Sequence, residues 1–99
     1  MPTSLIEPKG YLRIRYRVPP RGLIEYKVEA DRPVSTYVLD EEGLEEFLGR
    51  GKDITSYYGG FYNRYEHRQE IRLPFRGWWY LVIDNTSRYP IAVHYEVSG

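Results

Sequence analysis

The sequence predicts an all-β fold: a small antiparallel β-sandwich, jelly-roll-like, with one short helix near residues 41–48. Three observations carry this. Apolar and polar residues alternate strictly at 11–18 and alternate again at 23–30 and 91–97, the period of a strand with one buried face. Clusters of Pro, Gly, Asp and Asn break these runs at short intervals, as in sandwiches and open barrels. Helical spacing occurs once, where Leu44, Phe47 and Leu48 stand at i, i+3 and i+4.

Residues 1–10 carry Pro2 and Pro8 and no period, which suits an N-terminal arm or a lead-in strand. The run 11–18 sets Leu12, Ile14, Tyr16 and Val18 on one face and Arg13, Arg15 and Arg17 on the other. Pro19, Pro20 and Gly22 break it, because proline removes backbone donors and glycine permits a turn. The run 23–30 alternates Ile24, Tyr26, Val28 and Ala30 against Glu25, Lys27 and Glu29. A hairpin matching apolar to apolar sets Arg17 opposite Glu25 and Arg13 opposite Glu29, across a loop at 19–23. Asp31, Arg32 and Pro33 read as a turn into a third strand, 34–39.

Asp40 is placed to cap a helix, with Glu41 and Glu42 in the first turn, where the dipole favours carboxylates. Gly49 and Gly51 are expected to stop it. Residues 52–68 show no regular period. Within them Gly59 and Gly60 mark a turn or a close approach of two backbones. Alternation returns at 69–75 through Ile71, Leu73 and Phe75. The run 78–84 is apolar on both faces and is the candidate central strand. In the last strand Ile91, Val93, Tyr95 and Val97 point inward. The total is six or seven strands in a single domain over residues 1–99.

Fourteen Lys and Arg balance fourteen Asp and Glu, and there is no cysteine. That excludes a disulfide framework, a thiolate metal site and a Cys nucleophile. No apolar run approaches the ~20 residues of a membrane span. Residues 1–8 lack the charged and apolar regions of a signal peptide, so a soluble cytoplasmic domain without membrane contact is expected. Eleven Tyr, three Phe and two Trp exceed what one small core holds, so several rings are expected at the surface.

Catalysis finds no support, and no enzyme, metal or cofactor is expected. His67 and His94 stand far apart, and Glu66-His67 lacks a second pair at ligand spacing. Ser35, Ser56 and Ser87 sit in no nucleophile motif. Gly59-Gly60 lacks the Lys-Ser/Thr of a phosphate loop. Glu41, Glu42, Glu45 and Glu46 read as a solvated helix face rather than a cation site. Asn85-Thr86-Ser87 has the glycosylation pattern but reads as an ordinary turn.

Binding is better supported. Arg outnumbers Lys eleven to three, and arginine offers a planar fork that stacks on rings and pairs with phosphates. Charge is segregated: residues 11–22 carry four Arg and no acid, while 40–46 carry five acids and no base. Tyr and Arg are enriched at interface hot spots. The candidate partner-binding residues are Tyr57, Tyr58, Gly59, Gly60, Phe61, Tyr62, Arg64, Tyr65 and Arg68, with Arg13, Arg15 and Arg17 as a neighbouring arginine face. They suggest a non-catalytic binding or assembly module that recognises a protein partner or its own copies. The alternative is single-stranded nucleic acid or carbohydrate bound by the same surface. Glu25, Glu29 and a pI near 6.7 argue against nucleic acid. A plainer reading has the tyrosines closing one end of the fold and the arginines pairing with Glu25 and Glu29. Trp78 and Trp79 point to opposite faces, so one of them could supply a stacking ring for a sugar, although so apolar a strand favours both being covered by the helix or a second sheet.

Leu39-Asp40, Arg50-Gly51, Tyr57-Tyr58-Gly59-Gly60 and the run from Gly77 to Asp84 resemble the bacterial family catalogued as domain of unknown function 1883. Its members read V-x-L-x-D, an aromatic, Arg-Gly, Tyr/Phe-Gly-Gly, and later P-x-x-G-x-W-x-V-x-I-D. Pro74, Gly77, Trp79 and Asp84 stand at the matching places. The resemblance covers residues 34–84, while 11–30 do not map onto it. The C-terminal hairpin is similar instead to the G-x-Y-x-L-x-I-x-N hairpin of jelly-roll modules. The family resemblance implies a small β-sandwich that accompanies a TIR signalling domain in some bacterial proteins. It implies a TIR-type partner and no catalytic residue.

Overall fold

The structure is a computed structural model and describes residues 3–50 and 57–98. Gly51, one of the two expected helix stops, and Ser56 lie outside the described residues. The chain runs β1 (Thr3–Ile6), β2 (Tyr11–Arg17), β3 (Leu23–Leu39), α1 (Glu41–Arg50), β4 (Arg64–Arg72), β5 (Trp78–Asp84) and β6 (Ile91–Ser98). The all-β fold with a single short helix matches the sequence expectation. The lead-in reading of the first ten residues also holds, since β1 pairs with β6.

One antiparallel sheet, ordered β1-β6-β3-β5-β2 with β4 also on β3, curls around the long third strand. The first half of β3, up to Ala30, lies between β4 and β6. Its second half, from Ser35, lies against β5. The register is irregular between Glu29 and Val34, which lets one strand serve both arms of the curl. Asp31, Arg32 and Pro33 therefore do not reverse the chain, as the sequence suggested. They form an exposed corner in a continuous strand, where a missing proline N–H is tolerated.

The expected hairpin of 11–18 with 23–30 does not form. β2 pairs with β5, and β3 pairs with β4, β5 and β6. Alternation fixes which face of a strand is buried, not its neighbour. The exposed Arg–Glu pairs of that hairpin offer only ~0.2–1 kcal/mol each. Placing β5 between β2 and β3 instead buries Trp79, Leu81 and Ile83 on one side and Tyr80 and Val82 on the other. β5 is thus the central strand that its composition predicted. Gly22, at φ 71°, carries the crossing from one arm to the other: its N–H donates to Pro19 O at 2.8 Å and its carbonyl accepts from Leu73 N–H at 2.7 Å.

The interior joins Ile24, Tyr26 and Val28 of one arm to Trp79, Leu81 and Ile83 of the other, with Ile91 and Val93. Leu12, Ile14 and Tyr16 close its margin. A second layer lies outside. Leu44 and Phe47 of α1 pack on Tyr37, Leu39, Tyr80 and Val82. Asp40 caps the helix as expected, its Oδ1 accepting Gly43 N–H at 2.7 Å, an interaction worth ~1 kcal/mol. The apolar stripe is narrower than the spacing suggested, because Leu48 is 53% exposed. Gly49 does not stop the helix, which continues to Arg50.

Regular structure also returns earlier than predicted. β4 begins at Arg64, not 69, and ends at Arg72, so Leu73 and Phe75 pack from the following loop. The strand period runs back from Ile71 through Gln69 to His67, but polar side chains disguise it.

Candidate interaction face

The outer face of the β2–β5 pair is built by register. Arg13 lies opposite Val82, Arg15 opposite Tyr80 and Arg17 opposite Trp78. Trp79 turns into the core, so Trp78 must turn out, and it is 41% exposed. Two guanidinium groups lie over its ring, that of Arg15 at 4.3 Å and that of Arg17 at 5.5 Å. Such contacts at an exposed site contribute ~0.5–1 kcal/mol each. Among the described residues the ion pairs are Lys27–Glu29 and Arg68–Glu25, so Arg13, Arg15 and Arg17 take part in none. Glu25 and Glu29 stand on the other arm, which corrects the pairing expected for them. A shallow hollow of about 600 Å³ extends this face past Arg17 to Pro19, Pro20 and Arg76.

The loop before β4 is a different kind of surface. It runs beside the second half of β3: Val38 N–H donates to Gly59 O at 2.8 Å, Tyr58 N–H to Val38 O at 2.8 Å, and Thr36 N–H to Phe61 O at 2.9 Å. The glycine pair marks a close approach, as expected. A Cβ on Gly60, at φ 130°, would collide with the Thr36 carbonyl, and one on Gly59 would collide with Ile71. The rings of Tyr57 and Tyr62 meet Tyr37 edge-on at 6.4 and 5.8 Å. Tyr58 packs on Phe75 at 5.0 Å and donates its hydroxyl to Asp40 Oδ2 at 3.0 Å, which raises its pKa. Arg64 lies over Phe61 at 4.1 Å.

A buried polar network fastens this loop from beneath. His67 Nε2 lies 2.9 Å from Val34 O and 3.0 Å from Arg64 O. Both are acceptors, so Nε2 carries the proton of the neutral ring. Nδ1 then accepts from the Thr36 hydroxyl at 3.0 Å. Thr36 Oγ1 accepts Phe61 N–H at 3.3 Å, and Gln69 Oε1 accepts from Gly60 N–H at 2.9 Å and Tyr26 Oη at 3.0 Å. Burial holds the imidazole below its usual pKa, against the opposing pull of the two carbonyls. Glu66 and His67 point to opposite faces of β4, and both ring nitrogens are engaged.

The candidate residues therefore do not gather into one patch. Arg13, Arg15 and Arg17 stand at one margin of the outer layer, where Tyr11 meets Phe47 at 5.2 Å. Tyr57 and Tyr62 stand at the other margin, across β5 and β3. Tyr65 is exposed near the start of β4. Arg68 faces out from the other arm, in a register that sets Lys27 against Arg68 and Glu29 against Glu66. Its 3.9 Å contact with Glu25 is exposed and weak.

Two features escaped the sequence reading. The network around His67 was one, although the inward parity of Ile71 extends to it. The other is Asn85, read as an ordinary turn residue. It is fully buried, and its Nδ2 lies within 3.1 Å of Ile6 O, Glu7 O and Tyr89 O. It ties β1 to the β5–β6 connection, and its amide is inaccessible to a glycosylating enzyme in the folded chain. No family model and no curated protein matches the chain.

Proposed function

We propose that this domain is a non-catalytic binding module that recognises a protein partner through the arginine face of β2 and β5. The loop bearing Tyr57, Tyr62 and Tyr65 is a second, subordinate contact. One observation supports this reading above the rest: Arg15 and Arg17 share the exposed ring of Trp78, and neither has an acidic partner among the described residues. Arginine and tryptophan are the side chains that most often dominate interface energetics. The loop rings also pack, on Tyr37, Phe75 and His67, and Tyr57 and Tyr62 stay about as exposed as Trp78, but beside them, among the described residues, no pair of arginines shares one ring. A signalling protein of the TIR type, implied by the resemblance of residues 34–84, is one candidate partner.

A second reading keeps its place for a specific reason. Glu25 and Glu29 do not neutralise the arginines, so one argument against single-stranded nucleic acid falls away. An indole beside guanidinium groups can also stack on a base or a sugar.

Affinity capture from native lysate, with and without nuclease, separates the two. The expected result is a protein that survives nuclease and is lost when the bait carries Arg15→Glu. Capture abolished by nuclease moves nucleic acid to first place. Capture equal with both baits removes the arginine face from the reading.

A further inference from the structure

We propose that the open edge of β2 takes up an extended acidic segment of a partner protein as an added antiparallel strand. This rests on the binding role given above to the arginine face, and it names the partner's chemistry.

Two hydrogen bonds fix which backbone groups of β2 are free. Asn85 N–H donates to Gly10 O at 2.9 Å, and Val18 N–H donates to Gly77 O at 2.8 Å. These contacts flank the β2–β5 ladder at even-numbered positions of β2. Hydrogen-bonded and non-bonded pairs alternate along an antiparallel ladder. Leu12, Ile14 and Tyr16 therefore exchange bonds with Ile83, Leu81 and Trp79. The N–H and C=O of Arg13, Arg15 and Arg17 point away from β5. Among the described residues no strand pairs with β2 on that side. The edge is seven residues long, and its register shows no bulge and its sequence no proline.

Side chains decide what such an edge accepts. In an added strand, the residues opposite Arg13, Arg15 and Arg17 share their outward face, with Cβ atoms ~4.5–5.5 Å apart. Carboxylates fit there. The intervening residues turn toward Leu12, Ile14 and Tyr16, which are half-buried at the margin of the core, and apolar side chains fit beside them. The segment recognised has the pattern acid–apolar–acid–apolar–acid. A second copy joined through β2 sets arginine against arginine and is disfavoured. Edge charges ordinarily prevent strand addition. A row of one sign prevents it for copies and for basic strands, and admits an acidic one. Trp78 adds preorganisation, because it already holds two of the three guanidinium groups on the outward face.

The test uses a short synthetic peptide alternating Glu and Val, and its twin N-methylated at every Glu. N-methylation leaves the charge and removes the N–H groups that face β2. The expected result is that the plain peptide binds and slows amide exchange at Arg13, Arg15 and Arg17. The twin is then weaker by about tenfold or more. Arg15→Glu abolishes binding in a variant that a circular dichroism melt shows to be still folded, its melting temperature lowered only by the few degrees that the lost Trp78 contact accounts for. Equal binding of both peptides with no slowed amides overturns strand addition while leaving the arginine face as a binding surface. Failure of both peptides also overturns it, and the Arg15→Glu capture above then judges the broader reading separately. Amide shifts at these arginines with single-stranded DNA but not with peptide overturn it in favour of nucleic acid.

Discussion

The guanidinium of Arg15 lies 4.3 Å from the centre of the Trp78 ring, although Arg15 is directly opposite Tyr80 in the register and Trp78 is its diagonal neighbour. The arginine thus reaches along the sheet to cover an indole that alternation forces outward. Trp79 is buried beside it, so the two tryptophans report different environments. Trp78→Phe is expected to remove most acrylamide-quenchable fluorescence. Arg15→Ala is expected to increase quenching and to cost ~0.5–1 kcal/mol in urea unfolding. An unchanged quenching curve in Arg15→Ala would mean that the contact does not persist in solution.

Gly60 and Gly77 both have positive φ, 130° and 103°, but only Gly60 lies against another backbone. Gly77→Ala is expected to cost ~1 kcal/mol, from conformation alone. Gly60→Ala adds a collision with the Thr36 carbonyl and is expected to cost ~2–4 kcal/mol. Denaturant midpoints of the two variants check this. Equal losses would show that the loop does not lie close against β3.

His67 makes stability depend on pH. Its ordinary value is 6.5, and burial lowers it in the folded chain. Between the folded value and 6.5 the unfolded chain binds more protons, so stability falls as pH falls through that window. The contribution is fully present above it. Urea midpoints of the wild type should drop from about pH 7.5 to about pH 5.5 by more than those of His67→Gln. A matching drop in both proteins would assign the pH dependence to other groups.

Asn85 is the fastener between β1 and the β5–β6 connection. Asn85→Ala leaves the carbonyls of Ile6, Glu7 and Tyr89 without this donor and is expected to cost ~2–3 kcal/mol. The thermal midpoint checks it, and amide exchange is expected to rise first in β1. A loss within about 0.5 kcal/mol, the range of an ordinary surface substitution, would show that these bonds are not held.

What the sequence made legible followed from burial. Period two located β2, β6 and the first half of β3, and the two-faced apolar run identified β5 as central. The Asp40 cap and the close approach at Gly59 and Gly60 were equally visible, because each depends on a local backbone need. Pairing was not visible. Leu12, Ile14 and Tyr16 sit as well against β5 as they would against β3, and only the total buried area decides between them. The start of β4 was hidden because its inward side chains at His67 and Gln69 are polar and satisfied inside. The site reading suffered in the same way. The arginines were legible as a stripe, but their separation from the tyrosine loop depends on β5 and β3 lying between them.

The most direct measurement is calorimetric titration of the domain with its nuclease-resistant protein partner, comparing the wild type with Arg13→Glu/Arg15→Glu/Arg17→Glu. The side chains face outward, so the variant is expected to fold, as a circular dichroism melt will show. The expected result is binding weaker by about a hundredfold or more, equivalent to roughly 2.8 kcal/mol. Undiminished affinity in a folded variant would contradict the assignment of the partner to the arginine face.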